Sequence, residues 1–255
     1  MLSPSGKGQT VSISDEFRST NVLLNALTPE DRALLAPHFT RIELERSHVL
    51  VEPGQPIEHI YFPEGGIASV ISQMEDTAET ELGIFGFEGM SGLAAILGAE
   101  TTATKTSMQV DGTTAMRIDT ARLREAMWQS RPLMELLLRY VQTVLMQVSH
   151  SAVSNAHHRM ESRLARWLLM CHDRVDGNEI ALTHRFMSMM ITAQRSGVTV
   201  TLHILEGGGA IRSTRGLVTI LDRERLEEVA GEAYGTPEAE YRRLIGPFGR
   251  SPTQV

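Results

Sequence analysis

The sequence predicts an α+β protein with a β-rich N-terminal half, one long helix and a C-terminal group of helices with a hairpin. Three observations predict this order. Short apolar runs separated by Gly, Pro and acidic turns occupy residues 41–119, which suggests a sandwich or barrel. An apolar repeat of alternating four- and three-residue steps then runs through 131–157. Residues 180–221 end in two β-type runs around a tight turn that contains glycine.

The N-terminal region begins with a polar segment. Residues 1–20 lack the apolar core of a signal peptide, so we expect them to form a flexible arm. A short helix is expected after Thr28, because threonine can cap a helix and Pro29 suits its first turn. The β-type runs that follow are 49–51, 60–62, 67–71, 108–110 and 115–118.

The long helix carries two apolar stripes. One has the spacing of an a/d coiled-coil seam. Its members are Met134, Leu138, Val141, Leu145, Val148, Ala152 and Asn155. The other stripe, Leu137, Tyr140 and Val144, can cover the β-rich region. We therefore expect the seam to pair with a second copy of the helix; packing wholly inside its own domain is the alternative.

The segment 194–206 predicts a helix with two faces. At about 100° per residue, Val198, Leu202 and Leu205 fall on one side. The opposite side carries Arg195, Ser196, Thr199 and His203. A helix capped by Thr183 precedes it and a hairpin follows, which is the order of a winged helix-turn-helix. The outer face suits base edges and phosphates, so the pattern indicates DNA binding rather than catalysis.

The distribution of charge agrees with this division. The net charge is −7, with 11 basic and 19 acidic residues in 1–156 but 8 and 6 in 157–222. An acidic first part joined to a mildly basic second part is typical of a regulatory domain attached to a nucleic-acid-binding domain.

The sequence also argues against several classes of site. Cys171 is the one cysteine, so the chain cannot supply the ligands of an iron–sulfur cluster or a CxxC metal site. The nine histidines lie in no recognisable haem motif. We find no nucleophile–base pairing or phosphate-cradling loop, and therefore expect no enzyme and no cofactor. No run approaches the roughly 18 apolar residues of a membrane span, so we expect a cytoplasmic protein.

Residues 21–222 resemble the Crp/Fnr family of bacterial transcription regulators, and three blocks carry the resemblance. Residues 52–66 look like the turn and strand that open a cyclic-nucleotide-binding-type β-roll. Residues 83–93 look like its ligand-cassette loop, and residues 195–211 look like the recognition helix and the step into the wing. The resemblance implies an N-terminal double-stranded β-helix (a β-roll, or cupin-like jelly roll), a dimerisation helix and a C-terminal winged helix-turn-helix.

The resemblance also implies boundaries and partners. It places a sensor domain at 21–130, the dimerisation helix at 131–157, the DNA-binding domain at 158–222 and a C-terminal extension at 223–255. The expected partners are a second copy, a palindromic double-stranded operator, RNA polymerase and a small-molecule effector of unknown identity. The alternative is a small-molecule-binding signalling protein whose degraded helix-turn-helix does not bind DNA.

The resemblance assigns roles to residues of the DNA-binding region. Arg195 falls on the family's base-reading arginine, and an arginine can bond guanine O6 and N7 together. The supporting contacts are assigned to Gln194, Ser196, Thr199 and His203, and the phosphate contacts to Arg212 and Arg215. Thr192 stands where the family's turn usually has glycine, and Gln194 replaces a short capping side chain.

The cassette departs further from the family pattern. Cyclic-nucleotide-binding members place a Glu on the ribose and an Arg on the cyclic phosphate, but the Glu position here falls within 91–93 and 101–106 contains no arginine. A buried phosphate without its cation is costly, so we expect that cAMP is not the effector, although Lys105 could partly substitute. The candidate effector residues are Gly86, Glu88, Gly89, Ser91, Gly92, Lys105 and Thr106.

Overall fold

The structure of the chain, a computed structural model, describes residues 18–72 and 79–250. Of the predicted arm, only residues 18–20 are therefore described. The elements of the N-terminal half are α1 (Val22–Asn25), α2 (Pro29–Leu35), β1 (Thr40–Glu43), β2 (Val49–Val51), β3 (His59–Pro63), β4 (Ile67–Ser72), β5 (Thr80–Phe85), α3 (Leu93–Ile96), β6 (Lys105–Val110) and β7 (Thr114–Asp119). The helix expected after Thr28 is confirmed as α2, whose Asp31 N–H donates to the Thr28 hydroxyl.

The strands form two antiparallel sheets, in the orders β2-β6-β4-β5 and β1-β7-β3. In β3 the alternation of side chains buries Ile60 and Phe62, which pair in register with Ile118 and Met116. At the turn before β4, Gly66 has φ +75°, and a Cβ there would lie 2.6 Å from Gly112. The β-roll predicted from the sequence is confirmed. Strands β1 and β5 lie outside the predicted runs.

The long helical region is divided in two, as α4 (Thr120–Gln129) and α5 (Arg131–His157). The break lies at Ser130, whose hydroxyl accepts the N–H of Leu133, with Pro132 in the first turn of α5. The inner stripe of α5 covers the β-roll, since Leu137 and Tyr140 are buried in the main core.

The C-terminal domain consists of α6 (Met160–His172), β8 (Glu179–Ile180), α7 (His184–Met190), α8 (Arg195–Gly207), β9 (Ile211–Thr214) and β10 (Leu217–Ile220). Its sheet has the order β8-β10-β9. Val198, Leu202 and Leu205 of α8 are buried with Trp167 and Leu168 of α6. The predicted order of helix, turn, helix and hairpin is confirmed.

The C-terminal extension folds back onto the rest of the chain. Its helices are α9 (Arg223–Ala230) and α10 (Thr236–Leu244), and α10 packs on α5. Tyr241 and Phe248 enter the main core beside the β-roll, and the Tyr241 hydroxyl donates to the Glu88 carbonyl at 2.5 Å. Beyond them, Arg250 donates hydrogen bonds to the carbonyl oxygens of His172 and Val175, each at 3.1 Å. The extension therefore contacts both the β-roll and the C-terminal helix-turn-helix domain.

A buried carboxyl group lies where the two domains meet. Glu81 of β5 accepts hydrogen bonds from Ser69 at 2.5 Å and from the Trp167 indole of α6 at 3.2 Å. Burial raises the pKa of Glu81 from 4.5 to about 7, although both hydrogen bonds and the charges of Arg166 and Arg174 lower it. The folded protein consequently holds this proton more tightly than the unfolded chain does.

We predict that Glu81→Gln removes a pH dependence of stability. The raised pKa contributes stability that is complete below pH 4.5 and is lost as the pH rises through about 7. The variant should equal the natural chain at pH 4.5 and exceed its free energy of unfolding by up to about 3 kcal/mol at pH 8. Urea unfolding at several pH values measures this, with the exposed Glu45→Gln as the control. A difference that stays constant with pH contradicts the prediction.

Candidate nucleic-acid interface and sensor cavity

The turn between α7 and α8 contains a strained residue. Thr183 caps α7 by accepting the N–H of Phe186 at 3.1 Å, as predicted. Thr192 then has φ +49°, in the left-handed region that β-branched residues avoid. Such a conformation costs on the order of 1–3 kcal/mol. The turn thus keeps the geometry that glycine would suit, with threonine in its place.

Tertiary contacts orient α8. Its N-cap residue, Gln194, makes no side-chain capping bond within the described part of the chain. Gly197 faces α6 so closely that a Cβ would lie 3.0 Å from the Met160 sulfur. With Val198 and Leu202 buried on the same domain, the opposite face of α8 points outward.

Of the predicted DNA-binding residues of α8, Ser196 and His203 lie on this outward face, whereas Arg195, which was expected to share it, lies about 110° round the helix from its centre. Arg195, Ser196 and His203 are exposed, as is Gln194 at the helix start. Thr199 is half-buried, and its hydroxyl donates to the Arg195 carbonyl at 3.1 Å. The helix therefore presents a cation and several hydrogen-bonding groups to the surroundings.

The hairpin forms a wing beside α8. Gly216, with φ +79°, makes the tight turn next to the exposed Arg215. Glu206 of α8 accepts the N–H of Ser213 at 3.0 Å, which ties the wing to the helix. A groove of about 770 Å³ between them is lined by residues that include Thr199, His203 and Arg215. Arg212 is exposed on β9, whereas Gln194, Arg195 and Ser196 lie at the N-terminal end of α8.

Two exposed apolar residues of α8 were missed by the sequence reasoning. Val200 is 59% exposed and Ile204 is 49% exposed. The helical period that identified the buried face could have revealed them. At about 100° per residue, neither Val200 nor Ile204 lies on the side of the helix that carries Val198 and Leu202.

The seam of α5 divides between solvent and core. Leu138 is 43% exposed and Leu145 is 56% exposed, and the exposed Ala152 continues the seven-residue spacing. Val141 is buried in the main core, and Met134 packs partly against it. The two remaining seam residues are half-buried: Val148 lines a cavity, and the Asn155 Oδ1 accepts from the Arg163 Nε at 3.2 Å.

A cavity of about 210 Å³ lies between the β-roll and α5. Its wall is mainly apolar, with hydroxyl groups from Ser91, Thr102, Thr104 and Thr106. Among the described residues that line it, none carries a charge. Leu145 and Val148 of the seam also line this cavity, so a second copy packed on the seam would lie next to it.

The structure places the candidate effector residues in three different surroundings. Ser91, Gly92 and Thr106 line the cavity. Lys105 lies in a separate groove of about 290 Å³ near α7, together with Arg46 and Glu79. The other three candidates belong to neighbouring contacts: Gly86 packs on the Gly66 carbonyl, Gly89 on the Tyr140 hydroxyl, and Glu88 pairs with Arg174.

The Glu88–Arg174 pair joins the cassette loop to the DNA-binding domain. One Glu88 oxygen lies 2.7 Å from the Arg174 Nη2, and the other accepts the Gly86 N–H at 2.9 Å. Both side chains are almost completely buried. Helix α5 also holds residues 83–93. The Tyr140 hydroxyl accepts the Met90 N–H at 3.0 Å, and the Gln147 side-chain oxygen accepts the Ile84 N–H at 2.9 Å.

The described ranges contain neither a metal-binding group of three or more His, Cys, Asp or Glu side chains nor a helix long and apolar enough to cross a membrane.

Comparison with known proteins agrees with this architecture. Residues 162–229 match the Crp-like helix-turn-helix domain family. The chain is similar to the CRP-like cAMP-activated global transcriptional regulator of Mycobacterium tuberculosis, with 24% identity over 221 residues that cover 83% of this chain and 97% of that protein.

Solved structures have the same fold at low identity. FixK2 from Bradyrhizobium japonicum has a TM-score of 0.65 and 15% identity, covering 76% of this chain and 98% of its own. The c-di-GMP-responsive regulator CLP of Xanthomonas campestris has a TM-score of 0.61 and 16% identity, and the match covers 82% of this chain and 100% of CLP. A CRP/FNR-family regulator from Thermus thermophilus has a TM-score of 0.61 and 19% identity, and the match covers 77% of this chain and 100% of that regulator.

Proposed function

We propose that the chain is a transcription regulator of the Crp/Fnr family that binds a palindromic operator as a homodimer. The observation that carries this proposal is Arg195, which is exposed in the first turn of α8 within the stretch that matches a Crp-like helix-turn-helix. We assign sensing to residues 21–130, dimerisation to 131–157 and DNA binding to 158–222. A regulator of this kind acts in the cytoplasm, in contact with RNA polymerase.

The recognition chemistry follows from which groups α8 and the wing expose. In the proposed complex α8 enters the major groove, and the Arg195 guanidinium bonds O6 and N7 of a guanine. Ser196, Thr199 and His203 add hydrogen bonds from the same helix, and Gln194 does so at its start. Arg212 and Arg215 contact phosphates, which strengthen binding without selecting sequence.

The proposed dimer forms along α5. Leu138, Leu145 and Ala152 form its exposed stripe, and burying them against a second copy removes apolar surface from water. Two α8 helices related by two-fold symmetry then meet half-sites about 34–36 Å apart. Since Leu145 also lines the cavity, the second copy would contact a bound effector or its immediate surroundings.

The cavity is the proposed effector site, and its chemistry favours an uncharged ligand. A cyclic nucleotide would bring its phosphate into a wall of methyl, methylene and hydroxyl groups, while Lys105 lies in another groove. Burying that charge without a cation is unfavourable. We therefore propose that this chain, unlike its cAMP-activated relative, responds to a different and neutral small molecule.

A second function is favoured by one observation. The left-handed Thr192 and the uncapped Gln194 weaken the module that would carry DNA binding. A signalling protein that binds a small molecule through the β-roll and does not bind DNA would tolerate both the left-handed Thr192 and the missing cap at Gln194. The experiments below separate the two functions.

We predict that Arg195→Ala weakens binding to the selected operator by about 10- to 100-fold per half-site, because each half-site loses one bidentate base contact. Binding to unrelated DNA should change little, since phosphate contacts supply it. Gel shifts at fixed low salt with duplexes enriched from random DNA measure both affinities. Arg122→Ala, an exposed arginine on α4, is the matched control.

Two results would contradict the proposal that the chain is an operator-binding regulator. If the intact dimer enriches no sequence at low salt, the signalling alternative replaces it. If Arg195→Ala keeps the operator affinity of the natural chain, base recognition by this residue is wrong.

We predict that Leu145→Glu separates the proposed dimer. The substitution places a carboxylate in an apolar seam, and the dissociation constant should rise at least about 100-fold. Sedimentation equilibrium measures the constant. Gln129→Glu adds the same charge to an exposed position of α4, away from the seam, and should leave the dissociation constant unchanged. An unchanged dimer in Leu145→Glu rules out this seam.

We predict that saturating cAMP does not raise the melting temperature. A ligand at 100 times its dissociation constant adds about 2.7 kcal/mol, which corresponds to roughly 5–10 °C for a chain of this size. A thermal-shift panel of cyclic nucleotides and neutral metabolites tests this. A large shift with cAMP that disappears in Lys105→Ala would overturn the proposal of a neutral effector.

A further inference from the structure

Helix α8 exposes apolar side chains that its own fold does not use. Val198, Thr201, Leu202 and Leu205 form the buried side of the helix. Val200 remains 59% exposed. An isolated exposed valine is ordinary on a protein surface, so its position on the helix decides whether it carries meaning.

Val200 lies near the middle of the outward face. At about 100° per residue, the direction opposite the four buried residues passes within about 30° of Ser196, Val200 and His203. Arg195 lies much further round, at about 110° from that direction. Whatever surface α8 enters therefore meets Val200 more directly than it meets Arg195.

The major groove offers one apolar group to such a side chain. Of the four bases, thymine alone places a methyl group, on C5, at the groove floor, and valine-sized apolar side chains contact it. Val200 is in the second turn of α8, among the N-terminal residues that reach base edges in this motif. The proposed dimer seam lies elsewhere, on α5, and leaves this face of α8 free for DNA.

We propose that Val200 is a specificity-determining residue that recognises a thymine through its C5-methyl group. The inference rests on the proposed function, since it requires α8 to enter the major groove. Val200 is five residues beyond Arg195, a rise of about 7.5 Å along the helix axis. Since the two side chains also point about 140° apart around the helix, we expect the thymine within a few base pairs of the guanine that Arg195 contacts.

The test removes the thymine C5-methyl group and the Val200 side chain, first separately and then together. The operator is first enriched from random DNA, and each thymine is then replaced by deoxyuridine, which lacks only the C5-methyl group. At one position in each half-site, the natural chain should lose about fourfold in affinity per half-site, the effect of one buried methyl group. With Val200→Ala, the same replacement should no longer change the affinity.

Two further variants sharpen the assignment. Val200→Thr keeps the branched shape but replaces one methyl with a hydroxyl, and it should reduce the sensitivity to deoxyuridine. Ile204→Ala truncates the next exposed apolar residue, about 6 Å further along the helix, and should retain the sensitivity in full. Circular dichroism melts verify that all three variants remain folded.

Each outcome has a distinct meaning. Specific binding without a deoxyuridine-sensitive position overturns the inference while leaving the proposed function intact. Sensitivity that persists in Val200→Ala, or that is lost only in Ile204→Ala, overturns the assignment to Val200. If no duplex binds specifically, the proposed function and the inference fail together.

Discussion

The relative position of the two domains depends on the buried ion pair between Glu88 and Arg174. Removing two charges from water costs several kcal/mol per ion, and only close approach with further hydrogen bonds offsets it. Both conditions are met: the Glu88–Arg174 contact is 2.7 Å, the Gly86 N–H bonds the second oxygen, and Arg174 also donates to the Met170 carbonyl. Phe248 covers the guanidinium at 4.9 Å. The β-roll, the helix-turn-helix domain and the C-terminal extension thus meet at one desolvated contact.

This contact links the cavity to the DNA-binding domain through a short segment. Gly92 lines the cavity, and Glu88 pairs with Arg174 only four residues earlier. Helix α5 holds the segment between them through Tyr140 and lines the same cavity. Because a buried charge cannot lose its partner without a large cost, the ion pair opposes displacement of this loop. The loop thus connects the cavity wall to the ion pair over four residues.

Local patterns predicted the elements whose burial follows a simple period. Strand β3 and the inner stripe of α5 are examples, because side-chain alternation or a helical repeat decides which residues are buried. Strand β5 was missed since Glu81 and Gly83 interrupt its apolar character, and both have long-range partners. Glu81 bonds Trp167, 86 residues away, and a Cβ on Gly83 would collide with Gln147. Likewise, no local pattern could show that Glu88 pairs with Arg174 while Ser91 lines the cavity.

The sequence predicted only some of the residues on the outer face of α8. Its left-handed Thr192 and uncapped start oppose the helix locally, so its orientation depends on packing. The close approach of Gly197 to Met160 and the bond from Glu206 to the wing fix which side faces outward. Residues on that side contribute little to the core, and fold stability places few limits on their chemistry. The mixture of imidazole, hydroxyl and exposed valine there is therefore best explained by what the helix contacts outside the protein.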